Sequence, residues 1–200
     1  MSKVLAAYNI KGGVGKTSAA VNLATLAAHD GNPTLLWDLD PQGASTYLFR
    51  VKPKIKGGGE KLVRGKTPAD GQIKGTDTER LDLLPADFSY RHMDLALDGA
   101  KSNRLNRVIK PLDYEYVFLD CPPSISLVSE NVFEAADALL VPIIPATLSS
   151  RTLEQLHQVL SGGTDVLPIA HVPSELAPNA NRVSVAGVGS DVAFAPITTT

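Results

Sequence analysis

A single cysteine, Cys121, stands in this 200-residue chain, so no disulfide can close within it and a reducing compartment such as the cytoplasm is expected. No apolar run reaches the roughly 18 residues of a membrane-crossing helix, which argues against a membrane protein. The N-terminus enters an apolar run at Val4 and lacks the charged-then-apolar layout of a secretion signal. Metal-ligand spacing is missing too. His29, His92, His157 and His171 fall into no such pattern with one another or with Cys121, and read as structural or surface residues. Basic side chains run short in one half. Residues 111–200 hold 2 Lys and Arg against 10 Asp and Glu, a balance of −8, whereas residues 1–110 hold 17 against 11, a balance of +6. With 44% apolar residues, the length suits one α/β domain and is short for two.

What the chain does have is a glycine-rich loop, Lys11-Gly12-Gly13-Val14-Gly15-Lys16-Thr17, with Ser18 following. It lies between an apolar run, Val4 to Tyr8, and a helix-like run from Ser18 to Ala24. Glycines let the backbone curl around an anion with several N–H groups pointing inward. The helix start adds unpaired donors and partial positive charge. In such a cradle Lys16 reaches β- and γ-phosphates and the Thr17 hydroxyl ligates Mg²⁺. A plain strand-to-helix turn has no need of Gly-Lys-Thr at that place.

The usual phosphate-loop pattern has glycine six residues before its lysine, but here that position is Ile10. The additional Lys11 gives the deviant form Lys-Gly-Gly-x-Gly-Lys-Thr, and in this the chain resembles the ParA/MinD family of P-loop ATPases. The resemblance covers about residues 1–160. It implies an ATP-sandwich homodimer in which Lys11 reaches the partner's ATP. Asp38-Leu39-Asp40-Pro41-Gln42-Gly43 follows the second strand-like run, Thr34 to Trp37. A surface turn accounts for these residue types equally well, but their place at the end of a parallel strand favours a ligand crevice. By resemblance Asp40 orients or activates water, and Asp38 lies near the outer shell of the metal. Tyr116-Val117-Phe118-Leu119 ends in Asp120, placed to hold Mg²⁺ through water. The following Cys121-Pro122-Pro123 matches the family's second switch. Cys121 itself reads as a small buried hydrophobe, and the iron–sulfur relative in this superfamily needs more cysteines than one.

The expected fold is α/β, a P-loop NTPase-type three-layer sandwich with a mostly parallel twisted sheet. Helices are expected at Gly15 to His29, Ala44 to Phe49, Tyr90 to Leu97, Ser102 to Ile109 and Ile125 to Ala136, and after a cap at Ser149 or Ser150. Strands are expected at Leu81 to Ala86 and Ala138 to Pro145. Arg50 to Lys66 carries seven basic residues, with Glu60 as its only acid. Its glycines and Pro53 oppose a continuous helix, leaving a flexible loop that either contacts DNA phosphates or is simply solvated.

Residues 1–160 are expected to form the ATPase core and residues 161–200 a divergent or irregular tail of the same domain. Pro168, Pro173, Pro178 and Pro196 should break elements there, although Val183 to Ala186 could form a short strand. Two readings of the tail stay open: a loosely ordered divergent end, or replacement of the normal C-terminal third, for instance by a frame shift. The function expected is that of an ATP- and Mg²⁺-dependent partitioning or cargo-positioning ATPase. A ParB-like stimulating partner, non-specific DNA contacts and nucleoid association would go with it, and no membrane partner. The alternative is a nucleotide-binding regulator with little turnover. A cobyrinic acid amide synthase-like ligase is disfavoured on length.

Overall fold

The computed structural model describes residues 2–99, 103–143, 165–170 and 184–185. Its strands are β1 (Lys3–Ala7), β2 (Thr34–Asp38), β3 (Lys74–Gly75), β4 (Leu81–Leu84), β5 (Tyr116–Asp120), β6 (Ala138–Ile143), β7 (Asp165–Ala170) and β8 (Ser184–Val185). They form one sheet in the order β3-β4-β2-β5-β1-β6-β7-β8. The strands from β4 to β7 in that order are parallel, and β3 and β8 are short antiparallel edges. The helices are α1 (Lys16–His29), α2 (Ala44–Leu48), α3 (Gly59–Val63), α4 (Met93–Leu97), α5 (Arg104–Ile109) and α6 (Leu127–Ala135).

Helices cover both faces of a parallel sheet, so its central strands are apolar along their whole length. Alternation along each strand then divides the core in two. Leu35 and Trp37 of β2, Val117 and Leu119 of β5, and Leu139 and Val141 of β6 pack on the side that includes residues of α3 to α6. Leu36, Phe118 and Leu140 face Ala20, Val21, Ala24 and Ala28 of α1 on the other side. The expected α/β architecture with a mostly parallel sheet is the one found. Among the described residues, no helix is long and apolar enough to cross a membrane.

Two segments depart from the sequence reading. Pro168 does not break structure but sits inside β7, which pairs with β6 from Ala138↔Asp165 to Ile143↔Ala170. The existing strand serves as a template, and β8 pairs only with Ile169 and Ala170, so it does not extend to the proline. Pro142 of β6 is accommodated similarly. Its carbonyl points towards the β1 side, where Asn9 reaches it, but β1 itself pairs only as far as Leu140. The second departure is Arg50 to Lys66. Instead of a flexible loop it contains α3, anchored by the buried side chains of Ile55, Leu62 and Val63. The helix expected after Ser149 or Ser150 lies outside the described residues, as does most of the stretch 161–200.

Candidate nucleotide site

Strand register brings the site together. Ala7 pairs with Asp120, and Asp38 pairs with the same Asp120 from the other side. The ends of β1, β2 and β5 are therefore level, and the glycine loop leaving β1 lies beside both carboxylates. The loop takes left-handed backbone angles at Gly13 (φ 73°) and Gly15 (φ 92°), which favour glycine. A Cβ placed on Gly12, Gly13 or Gly15 would meet nothing within 4 Å, so the loop borders open space. Gly15 caps α1 without a side chain, and Ala19 is the first residue whose N–H bonds back, to the Gly15 carbonyl at 2.9 Å. The N–H groups of Lys16, Thr17 and Ser18 therefore lack helical acceptors, the arrangement that binds anions. Val14 is buried and holds the loop down.

Lys16 is only 7% exposed, and its ammonium donates to the Lys11 carbonyl at 3.1 Å across the loop. Burial pulls its pKa below the ordinary lysine value, while the charges of Asp120 and Asp40 oppose that fall. Lys11 is exposed. Its N–H donates to Asn9 Oδ1 at 2.9 Å, and Asn9 Nδ2 donates to the Pro142 carbonyl at 2.8 Å. Asn9 thus ties the loop to β6. The Tyr8 hydroxyl donates to the Ser124 carbonyl at 2.8 Å, linking the loop to the segment after β5.

Asp120 is fully buried at the end of β5. The Ser45 hydroxyl donates to its Oδ2 at 2.5 Å, while Oδ1 is buried with no hydrogen bond of ordinary geometry. Burial raises its pKa, opposed by Ser45, by the nearby Thr17 hydroxyl and by Lys16. Asp38 is also fully buried, and burial pushes its pKa up to about 7 despite its hydrogen bonds. Its Oδ2 accepts from Thr46 N–H at 2.8 Å and the Thr46 hydroxyl at 2.7 Å, and its Oδ1 accepts from Asp40 N–H at 3.2 Å. Asp40 is half-buried in a turn, with Oδ1 accepting from Gln42 N–H at 2.8 Å.

All the sequence-predicted residues therefore meet at one end of the sheet. Two carboxylates, Asp120 and Asp40, act on the one buried ammonium, Lys16, and Asp38 lies beside Asp120. This surplus of negative charge, the orphaned Asp120 oxygen and the Thr17 hydroxyl suit a hard divalent cation such as Mg²⁺. Among the described residues no group of three or more His, Cys, Asp or Glu could hold a metal. Mg²⁺ commonly binds through one or two protein oxygens plus substrate phosphates, so an all-protein cage is not required. Burial raises the Cys121 thiol well above its ordinary pKa, leaving it a packing residue rather than a nucleophile. Sequence reasoning missed Asn9, Ser45 and Thr46. Two adjacent hydroxyl residues just past Asp-x-Asp were the available signal, but such pairs also suit ordinary helix starts.

A family model described as an AAA domain matches residues 2–164. The sporulation initiation inhibitor protein Soj of Bacillus subtilis is 34% identical over 169 residues, spanning 80% of this chain and 64% of the relative. The chromosome partitioning protein ParA of Caulobacter vibrioides is 35% identical over 165 residues, spanning 79% and 62%. The chain thus spans under two thirds of the length of these relatives. Among solved structures, a cobyrinic acid a,c-diamide synthase from Mycobacterium smegmatis with bound ADP and magnesium superposes with a TM-score of 0.77 at 28% identity. That match covers 85% of this chain and 74% of the other. A plasmid partition protein from Borrelia burgdorferi shares the fold, with a TM-score of 0.71 at 23% identity over 84% and 78% of the two chains. Because 74% of the synthase chain is covered, length alone does not separate the ligase reading from partitioning.

Proposed function

The chain belongs to the ParA/MinD-type P-loop ATPases, and we propose that it is a Mg²⁺-dependent ATP hydrolase that positions DNA or another cargo as an ATP-sandwich homodimer. The observation that carries this reading is the buried Asp120 oxygen without a partner, beside Thr17 and Lys16. The names of the relatives, a sporulation inhibitor and a partitioning protein, support the biological role over the ligase.

In this reading the N–H groups from Gly13 to Ser18 cradle the phosphates, and Lys16 exchanges the Lys11 carbonyl for phosphate oxygen. Thr17 and Asp120 hold Mg²⁺, Asp120 through water, with Asp38 behind them. Bound Mg²⁺ neutralises charge on the β- and γ-phosphate oxygens. Asp40 orients the water for in-line attack, and Lys11 of a second copy offsets charge on the γ-phosphate. Completion of the site by a second copy makes the nucleotide a dimer switch, with a ParB-like protein as the stimulating partner.

Calorimetric titration with ATP and Mg²⁺, followed by phosphate-release measurement, tests the assignment. Lys16→Ala should abolish binding, whereas Asp40→Ala should bind normally and stop turning over. An Asp40 variant that hydrolyses ATP at the wild-type rate refutes the role given to Asp40. A wild type that binds ATP without releasing phosphate, alone or stimulated, is a regulator rather than a hydrolase.

A further inference from the structure

The loop from Asp38 to Thr46 is held as a closed frame. Asp38 clasps it at both ends, through Asp40 N–H and through the Thr46 N–H and hydroxyl. The Thr46 hydroxyl oxygen in turn accepts from Ala86 N–H at 2.8 Å, which fixes the frame to the chain leaving β4. All of the Asp38 side-chain hydrogen bonds are internal to this frame, so its carboxylate acts as the frame's strut. One hydrogen bond leads from the frame to the metal-facing carboxylate: the buried Ser45 hydroxyl on Asp120 Oδ2.

We propose that Ser45 is a positioning residue, whose hydroxyl holds Asp120 with Oδ1 free for the metal and couples that carboxylate to the loop carrying Asp40. This inference rests on the nucleotide–Mg²⁺ reading of the site. A carboxylate with one oxygen pinned has one orientation to offer. Without the pin, Oδ2 loses its partner in a fully buried place and the group turns to find another. Partners that orient metal-facing groups are commonly worth 10- to 100-fold in metal affinity. Ser45 also lies five residues after Asp40 in the same frame, so its hydrogen bond links the Asp120 carboxylate to the loop that carries Asp40.

The test uses the whole chain loaded with a non-hydrolysable ATP analogue, with Mn²⁺ as the probe and free Mn²⁺ followed by electron paramagnetic resonance. Ser45→Ala should weaken Mn²⁺ binding about tenfold or more, while affinity for the analogue in EDTA stays at the wild-type value. Ser45→Thr, which keeps the hydroxyl, should recover most of the metal affinity. Mn²⁺ binding by a folded Ser45→Ala protein as tight as wild type overturns the assignment. A Thr variant as weak as the Ala variant overturns it as well, since bulk and not the hydroxyl would then be at issue. Wild-type protein that binds neither analogue nor Mn²⁺ overturns the functional reading itself, and the role of Ser45 with it.

Discussion

The Asp87 carboxylate collects the Ser89 hydroxyl and N–H together with the N–H of Ile55. Burial alone would raise its pKa, but these bonds outweigh burial and hold it below the ordinary carboxylate value. A depressed pKa in the folded state means stability that is fully present above the unfolded value, about pH 4, and lost as pH falls through the folded value. Asp87→Ala should therefore cost about 1–3 kcal/mol at pH 7, since it leaves the buried Ile55 N–H and the half-buried Ser89 N–H unpaired. The gap from wild type should narrow below about pH 4. Urea unfolding at pH 7 and pH 3 checks this, and a gap that is constant across both pH values contradicts the charge argument. The candidate site residues were readable from motif alone, because Lys16, Thr17 and the strand-ending Asp38 and Asp120 sit at fixed offsets from glycines and apolar runs. Asn9, Ser45, Thr46 and Asp87 were not, because their meaning comes from partners as many as 133 residues away.

Gly59, at the start of α3, shows how the basic segment is docked. A Cβ at this position would run into the Tyr90 ring, which is buried. The Tyr90 hydroxyl accepts from Trp37 Nε1 at 3.1 Å, so a withdrawal of the ring would strain or break that buried hydrogen bond. Gly59→Ala should destabilise the protein by about 1–3 kcal/mol or more, as overpacked cores do. Gly65→Ala makes a useful contrast, since a Cβ there meets nothing within 4 Å and its cost should come only from its positive φ of 71°. Equal losses for the two variants in chemical denaturation would contradict the packing account. Three consecutive glycines, with Pro53, gave a flexible-loop reading, since propensity registers backbone freedom but not a ring pressed against it. β7 was illegible for a similar reason. Pro168 argues against a strand in isolation, and only β6 alongside makes one. By contrast β1, β2, β5, β6 and α1 were plain, because burial on both faces writes a continuous apolar run and α1 carries its own helical pattern.

Across the molecule, the basic half shows its charge outward. Arg50, Lys52, Lys54, Lys56, Lys61, Arg64 and Lys66 are all exposed, and among the described residues only Arg64 of these forms an ion pair, with Glu60 at 3.2 Å. With ATP and Mg²⁺ present, binding to DNA of arbitrary sequence should weaken steeply with salt. Replacing Lys52, Lys54 and Lys56 by Gln should lower the slope of log affinity against log salt by up to about 0.9 for each phosphate that is no longer neutralised. Binding that is indifferent to salt, or unchanged in the triple variant, counts against this surface. Lys11→Ala should bind ATP as a monomer yet fail to dimerise, and size-exclusion chromatography with the non-hydrolysable analogue decides it. An unchanged dimer would remove Lys11 from the partner's site.

Trp37 is the one tryptophan in the chain, fully buried one residue before Asp38 and hydrogen-bonded to the ring that rests on Gly59. It therefore stands between the end of the sheet that carries the phosphate loop and the basic surface. The protein carries its own fluorophore at that junction, and no label is needed. A shift in its emission on adding nucleotide would report directly whether events at the phosphate loop reach the basic surface.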